Sequence, residues 1–189
     1  MMPTTWIGLL RGVNVGGNTI RSADLVEAIR AGGFARVKTV LASGNVLVED
    51  GDDARPADIR RRLEAAIDER YGYGVAVAVV RLEEMRAIID AYPFDEVAEK
   101  HPYVTFATEP ALIDALAAEA SAVVGDADAT GAEETGERVA VGDGVIYWEV
   151  ARGSSTDSPF ARVCSRARYR SGPEAITTRN LRTLRKLDW

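Results

Sequence analysis

One cysteine, Cys164, and one histidine, His101, are the only residues of their kinds in 189. A lone cysteine excludes an internal disulfide and any zinc site built on several cysteines. A lone histidine excludes a histidine-rich metal centre, and no cofactor motif is legible, so neither metal nor cofactor is expected. No apolar run approaches the roughly 20 residues of a bilayer-spanning helix, and no membrane partner is expected. The apolar stretch from Trp6 to Leu10 has no basic residue before it and ends at Arg11, so it reads as a first strand and not as a leader peptide. A reducing, cytoplasmic location is the expectation.

Positive charge is scarce over most of the chain. The net charge is −6, yet from Arg162 onward eight basic residues face only Glu174 and Asp188, a surplus of six. The first 161 residues therefore carry −12. That split fits an acidic partner for the tail, nucleic acid included, or docking of the tail on the acidic body. The apolar fraction of 47% and charged fraction of 28% are those of an ordinary globular chain.

Spacing predicts two similar halves, 1–98 and 99–189. In the first, residues 5–11 read as a strand and 22–32 as a helix with Ser22 as its cap. Two short apolar runs flank the turn Ser43-Gly44-Asn45. Ile59, Leu63, Ala66 and Ile67 recur at helical spacing, and Val75 to Val80 make a strand. The order β-α-β-β-α-β is the ferredoxin-like or split βαβ arrangement. The second half repeats it, with a strand from Tyr103, a helix opened by Pro110, a hairpin around Gly142-Asp143-Gly144 and a helix from Pro159. A closing strand over 175–177 and a final helix carrying Leu181, Leu184 and Leu187 complete it. The fold class is therefore α+β, two ferredoxin-like lobes with a basic C-terminal helix. Residues 125–137, rich in acid, alanine and glycine, read as a surface loop.

In such a sheet the end of the first strand lies beside the start of the third. Arg11, Gly12, Asn14, Gly16 and Gly17 are thereby expected to converge with Ser43 and Asn45. A guanidinium, side-chain amides and loop N–H groups suit a small anion carrying phosphate or carboxylate. The competing reading is local: glycines permit the turn, and Asn14 and Asn45 bond nearby backbone. Thr178, Arg179 and Asn180 are expected at the corresponding strand end of the second half, as an equivalent or shared site. A P-loop is only half matched, since Asn18 stands where lysine must reach the β/γ-phosphates. Base stacking on the sheet, as in RNA-recognition modules, is excluded because Trp6 is the one aromatic on the two central strands of that half.

The strings Leu9-Leu10-Arg11-Gly12-Val13-Asn14-Val15-Gly16-Gly17, Ser43-Gly44-Asn45-Val46 and Thr177-Thr178-Arg179-Asn180 together resemble a bacterial family, "domain of unknown function 1697". The resemblance spans nearly the whole chain and implies two ferredoxin-like lobes. It implies no activity, because the family is uncharacterised. Asn18 and Leu181 depart from the lysine and tryptophan common in it. The functional expectation is binding of a small anionic ligand at the Arg11–Gly17 loop. The alternatives are an enzyme acting on a phosphorylated small molecule and nucleic-acid binding through the basic tail.

Overall fold

The computed structural model describes residues 3–13, 20–41, 44–51, 53–124, 136–170, 172 and 174–189. Strand β1 (Thr4–Arg11) leads to helix α1 (Ser22–Ala31), strands β2 (Val37–Thr39) and β3 (Asn45–Asp50), helix α2 (Pro56–Tyr71) and strand β4 (Ala76–Arg81). Helix α3 (Leu82–Asp90) follows without a break. Then come β5 (Lys100–Ala107), α4 (Pro110–Val124), β6 (Arg138–Val141), β7 (Ile146–Ala151), α5 (Pro159–Cys164), α6 (Ala167–Arg170), β8 (Ile176–Asn180) and the single turn α7 (Leu181–Leu184). Two compact units result: Met1–Arg86 with Arg185–Trp189, and Ala87–Leu184.

Each unit holds one four-stranded antiparallel sheet, ordered β2-β3-β1-β4 in the first and β6-β7-β5-β8 in the second. Both are the expected ferredoxin-like arrangement, with the lobe's first strand between its third and fourth. In the N-terminal lobe Trp6, Leu10, Val46, Val48 and Val77 pack with Leu25 and Ile29 of α1 and Ile59, Leu63 and Ile67 of α2. Ile7, Leu9 and Leu47, on the opposite face, are also fully buried. Burial on both faces explains why β1 reads as a continuous apolar run with little alternation. Gly8 lets the layers close: a Cβ there would stand 2.8 Å from Val46 Cγ2 and 2.9 Å from Leu63 Cδ1. Ser22 is the first helical residue of α1 and not its cap, which is Arg21.

The second lobe repeats this with aromatics. Trp148 stacks on Tyr103 at 4.9 Å and meets Phe160 edge-on at 5.4 Å. Glu137, wholly buried, accepts from Trp148 Nε1 at 2.7 Å, from the Ser158 hydroxyl and from Phe160 N–H at 3.2 Å. Ser158 is the N-cap of α5 and its hydroxyl also accepts from Ala161 N–H. The carboxylate thus binds β7 to the start of α5, where free N–H groups favour negative charge. Glu137→Ala strands three buried donors and should destabilise the protein by about 3 kcal/mol in urea unfolding. Glu137→Gln should cost less.

The lobes also share a device on the sheet face away from their long helices. In the N-terminal unit the Trp189 indole lies against the Arg36 guanidinium at 4.4 Å and donates to Thr5 Oγ1 at 2.9 Å. Lys38 donates to the Asp188 carbonyl at 2.7 Å. In the C-terminal unit Phe94 takes the place against Arg138 at 4.5 Å, and the Tyr147 hydroxyl donates to the Ile88 carbonyl at 2.9 Å. Each sheet is therefore dressed by the segment that follows the other sheet's fourth strand. Trp189→Ala should lower the melting temperature, with a loss of about 1–2 kcal/mol from the cation–π contact and hydrogen bond.

Candidate functional site

The register brings the first two sequence motifs together. Leu9 pairs with Asn45, Leu10 N–H donates to the Gly44 carbonyl at 2.8 Å, and Arg11 lies opposite Ala76 of β4. Strand alternation puts Leu10 and Val46 in the core beneath the helices, so half-buried Arg11 and buried Asn45 project to the other face. Gly12 follows at φ +88°, a conformation that suits glycine, and among the described residues no atom lies within 4 Å of where a Cβ would stand. Asn14, Gly16, Gly17 and Ser43 lie outside the described residues, as do Asn18 and Thr19.

Asn45 has a structural task. Its Nδ2 donates to the Val40 carbonyl at 3.0 Å, while Val40 N–H donates to the Asn45 carbonyl at 3.0 Å. The two bonds close the β2–β3 turn, which carries Leu41 at φ +59° and Gly44 at φ +73°. On the helix side of this turn is a hollow of about 10 Å³ lined by Val13, Ile20, Leu25 and Leu41 among others, room for a single water. Asn45→Ala leaves a carbonyl unpaired and should lower stability by about 1–3 kcal/mol in chemical denaturation.

Thr178, Arg179 and Asn180 do not occupy the corresponding place. The closing strand runs on past Thr177 to Asn180 because β5 offers partners as far as Tyr103: Thr178 pairs with Thr105, Arg179 with Val104 and Asn180 with Tyr103. Trp6 pairs with Arg81 as Tyr103 pairs with Asn180, and both fourth strands pass directly into a helix. The three residues are therefore counterparts of Val79–Arg81, at the opposite end of the sheet from a strand end like Arg11's. Their side chains serve the lobe locally. The Thr178 and Thr105 hydroxyls are 2.9 Å apart, Arg179 donates to Thr177 Oγ1 at 2.6 Å, and Asn180 Oδ1 accepts from Arg182 N–H at 2.9 Å.

Arg11's counterpart is Thr108. There the chain needs only Thr108 and Glu109 to pass from β5 into α4, whereas residues 12–21 separate β1 from α1. Thr108 seals its strand end, donating from N–H to the Ala175 carbonyl at 2.9 Å and accepting from Ala175 N–H on Oγ1 at 3.0 Å. The same fold thus makes this connection with two residues in one lobe and ten in the other.

Ahead of β4 stand two tyrosines that the sequence does not single out. Tyr71 ends α2 and Tyr73 precedes β4, with ring centroids 6.2 Å apart. Both hydroxyls are enclosed and have no hydrogen-bond partner among the described residues. Burial raises the Tyr71 phenol above its ordinary pKa, and the Asp24 carboxylate on the first turn of α1 adds to the effect. Two tyrosines in the link entering β4 were the available signal, because that link reaches the strand end beside Arg11.

The basic tail is largely drawn into its own lobe. Arg166 and Arg168 pair with Glu119, and Arg182 lies 3.5 Å from Glu96. The final helix is one turn, and Arg179 belongs to the strand before it. Cys164 is half-buried against the second core. Among the described residues no cluster of three potential metal ligands occurs, and no helix is long and apolar enough to cross a membrane.

A family described as "Protein of unknown function (DUF1697)" matches residues 3–147. A solved structure, the conserved bacterial protein SP0830 from Streptococcus pneumoniae, is similar with a TM-score of 0.72 at 22% identity. The alignment covers 98% of this chain and 96% of that one. At that identity the likeness establishes the fold. No curated protein matches the chain.

Proposed function

Taking as premise that this chain belongs to the DUF1697 family of proteins of unknown function, we propose that its N-terminal lobe binds a small anionic ligand, bearing phosphate or carboxylate, where Arg11 meets the loop after β1. The observation that carries this reading is the internal comparison. The C-terminal lobe closes the same strand end with Thr108 and Glu109, so the fold itself does not require a ten-residue, glycine-rich connection. Long connections in compact domains are commonly functional. The guanidinium of Arg11 at this strand end supplies the charge-assisted donor that phosphate or carboxylate favours. Asn45 acts here by holding the adjacent turn.

Binding through the basic tail has less support, since Arg166, Arg168 and Arg182 are engaged with Glu119 and Glu96. An enzymatic reading has less support, since no general base near Arg11 is identified among the described residues.

A ligand present at 100 times its dissociation constant should stabilise the protein by about 2.7 kcal/mol. A thermal-shift screen of inorganic phosphate, phosphorylated metabolites and small carboxylates reads this directly. Arg11→Ala should weaken binding by about tenfold to a hundredfold, the value of a hydrogen bond to a charged group. A flat screen of the wild-type protein would overturn the reading.

A further inference from the structure

An open four-stranded sheet has two edges, and an unguarded edge is a template for pairing with another chain. The edges here are β2 and β4 in one lobe and β6 and β8 in the other. β2 has three residues and β6 four, and such brevity itself limits pairing. β4 is the vulnerable one by sequence. With Val75 ahead of it, it reads Val-Ala-Val-Ala-Val-Val before its first charge at Arg81. An uncharged, valine-rich run of six without proline or glycine is the composition of strands that stack with their own kind.

Register decides which backbone groups face that edge. Leu10 N–H donates to the Gly44 carbonyl, so Leu10 is bonded toward β3 and its neighbours Leu9 and Arg11 toward β4. Ala76, Ala78 and Val80, opposite Arg11, Leu9 and Ile7, therefore complete the ladder, while Val77, Val79 and Arg81 turn their N–H and C=O groups outward. Side chains take two of those three donors. Glu84, on the first turn of α3, accepts from Arg81 N–H at 3.1 Å, as the returning arm of a capping box does. Glu64 has no capping duty. It stands in the middle of α2, half-buried beside the core residue Leu63, and accepts from Val77 N–H at 3.0 Å. The second lobe treats its long edge alike with the opposite charge. Thr108 N–H bonds the Ala175 carbonyl, which makes Thr178 an outward residue of β8, and Arg179 donates to the Thr178 carbonyl at 3.1 Å.

We propose that Glu64 is an edge guard: by occupying the Val77 N–H it keeps β4 from pairing antiparallel with β4 of a second copy of this chain. About a two-fold axis through Val79, Val77 of each copy would meet Arg81 of the other, and one sheet would continue into the next. Nothing within Val75–Val80 opposes that pairing, so the protection is supplied from the neighbouring helix. β8 carries its own charge at Arg179 and guards itself.

The test is self-association of the full chain, followed by sedimentation velocity over a hundredfold range of concentration, with infrared spectroscopy to detect new antiparallel pairing. Wild type and Glu64→Gln, whose side-chain oxygen still accepts, should keep one mass throughout. Glu64→Ala should self-associate about tenfold or more tightly than wild type, the value of a backbone hydrogen bond made between copies. Glu64→Asp keeps the charge but is one methylene too short for the Val77 N–H, and it should behave as Glu64→Ala does. Adding Val79→Pro to either should abolish the association, because the Val79 N–H faces the edge and its loss leaves the β1 ladder whole. The inference is overturned if both Glu64→Ala and Glu64→Asp fold and keep the wild-type mass, or if association survives Val79→Pro. It also falls if wild type already pairs through β4 and Val79→Pro releases it. If neither Glu64→Ala nor Glu64→Asp folds, Glu64 serves the fold itself and is no guard. A Val79→Pro protein that does not fold would show that the Val79 N–H is already engaged, and would overturn the inference equally.

Discussion

The antiparallel pairing of β1 with both β3 and β4 is the constraint on which the N-terminal lobe depends. It buries the first strand on two faces, demands apolar side chains at nearly every position, and leaves room for Gly8 where α2 comes closest. It also decides what stands together at the strand end. Once Leu10 is bonded to Gly44, Arg11 has no choice of neighbours: the β2–β3 turn lies on one side and the entry to β4 on the other. The site is a consequence of register before it is a consequence of side-chain chemistry.

Much of the architecture was legible because it depends on periodicity and punctuation. Helical spacing in 56–71, the glycine turns at 44 and 144 and the proline starts at 56, 110 and 159 all carry local physical signals. The convergence of Arg11 with Asn45 followed from topology alone. The role of Asn45 did not, because an asparagine beside a glycine turn can either bond its own backbone or meet a ligand, and only the Val40 contact distinguishes the two. The end of β8 was misread for a related reason. Thr-Thr-Arg-Asn has no breaker that would show where pairing stops, and its length was set by distant β5. Glu137 was hidden as one acid among many in a polar stretch, although it proves to be a core residue.

The internal repeat serves as a control that a single lobe could not supply. Two copies of one strand order, built by one chain, show which features the fold requires and which are additions. Charge pairs across the sheet recur, Arg36 with Glu49 in one lobe and Arg138 with Glu149 in the other, and so read as structural. The long connection after β1 occurs in the N-terminal copy alone. The contrast moves attention from motif likeness, where the glycine loop resembled a defective P-loop, to departure from symmetry.

The segment ending in Trp189 has a further implication. Because the chain's last residues complete the first sheet's surface, and residues after β4 complete the second's, neither half of the sequence contains all of its own lobe. Cleavage near the midpoint would yield two fragments that each need a segment of the other to cover their aromatic and cationic side chains. The two lobes are therefore a single inheritance unit: recombination that separated them, or shuffled one into another protein, would transmit an unfinished surface.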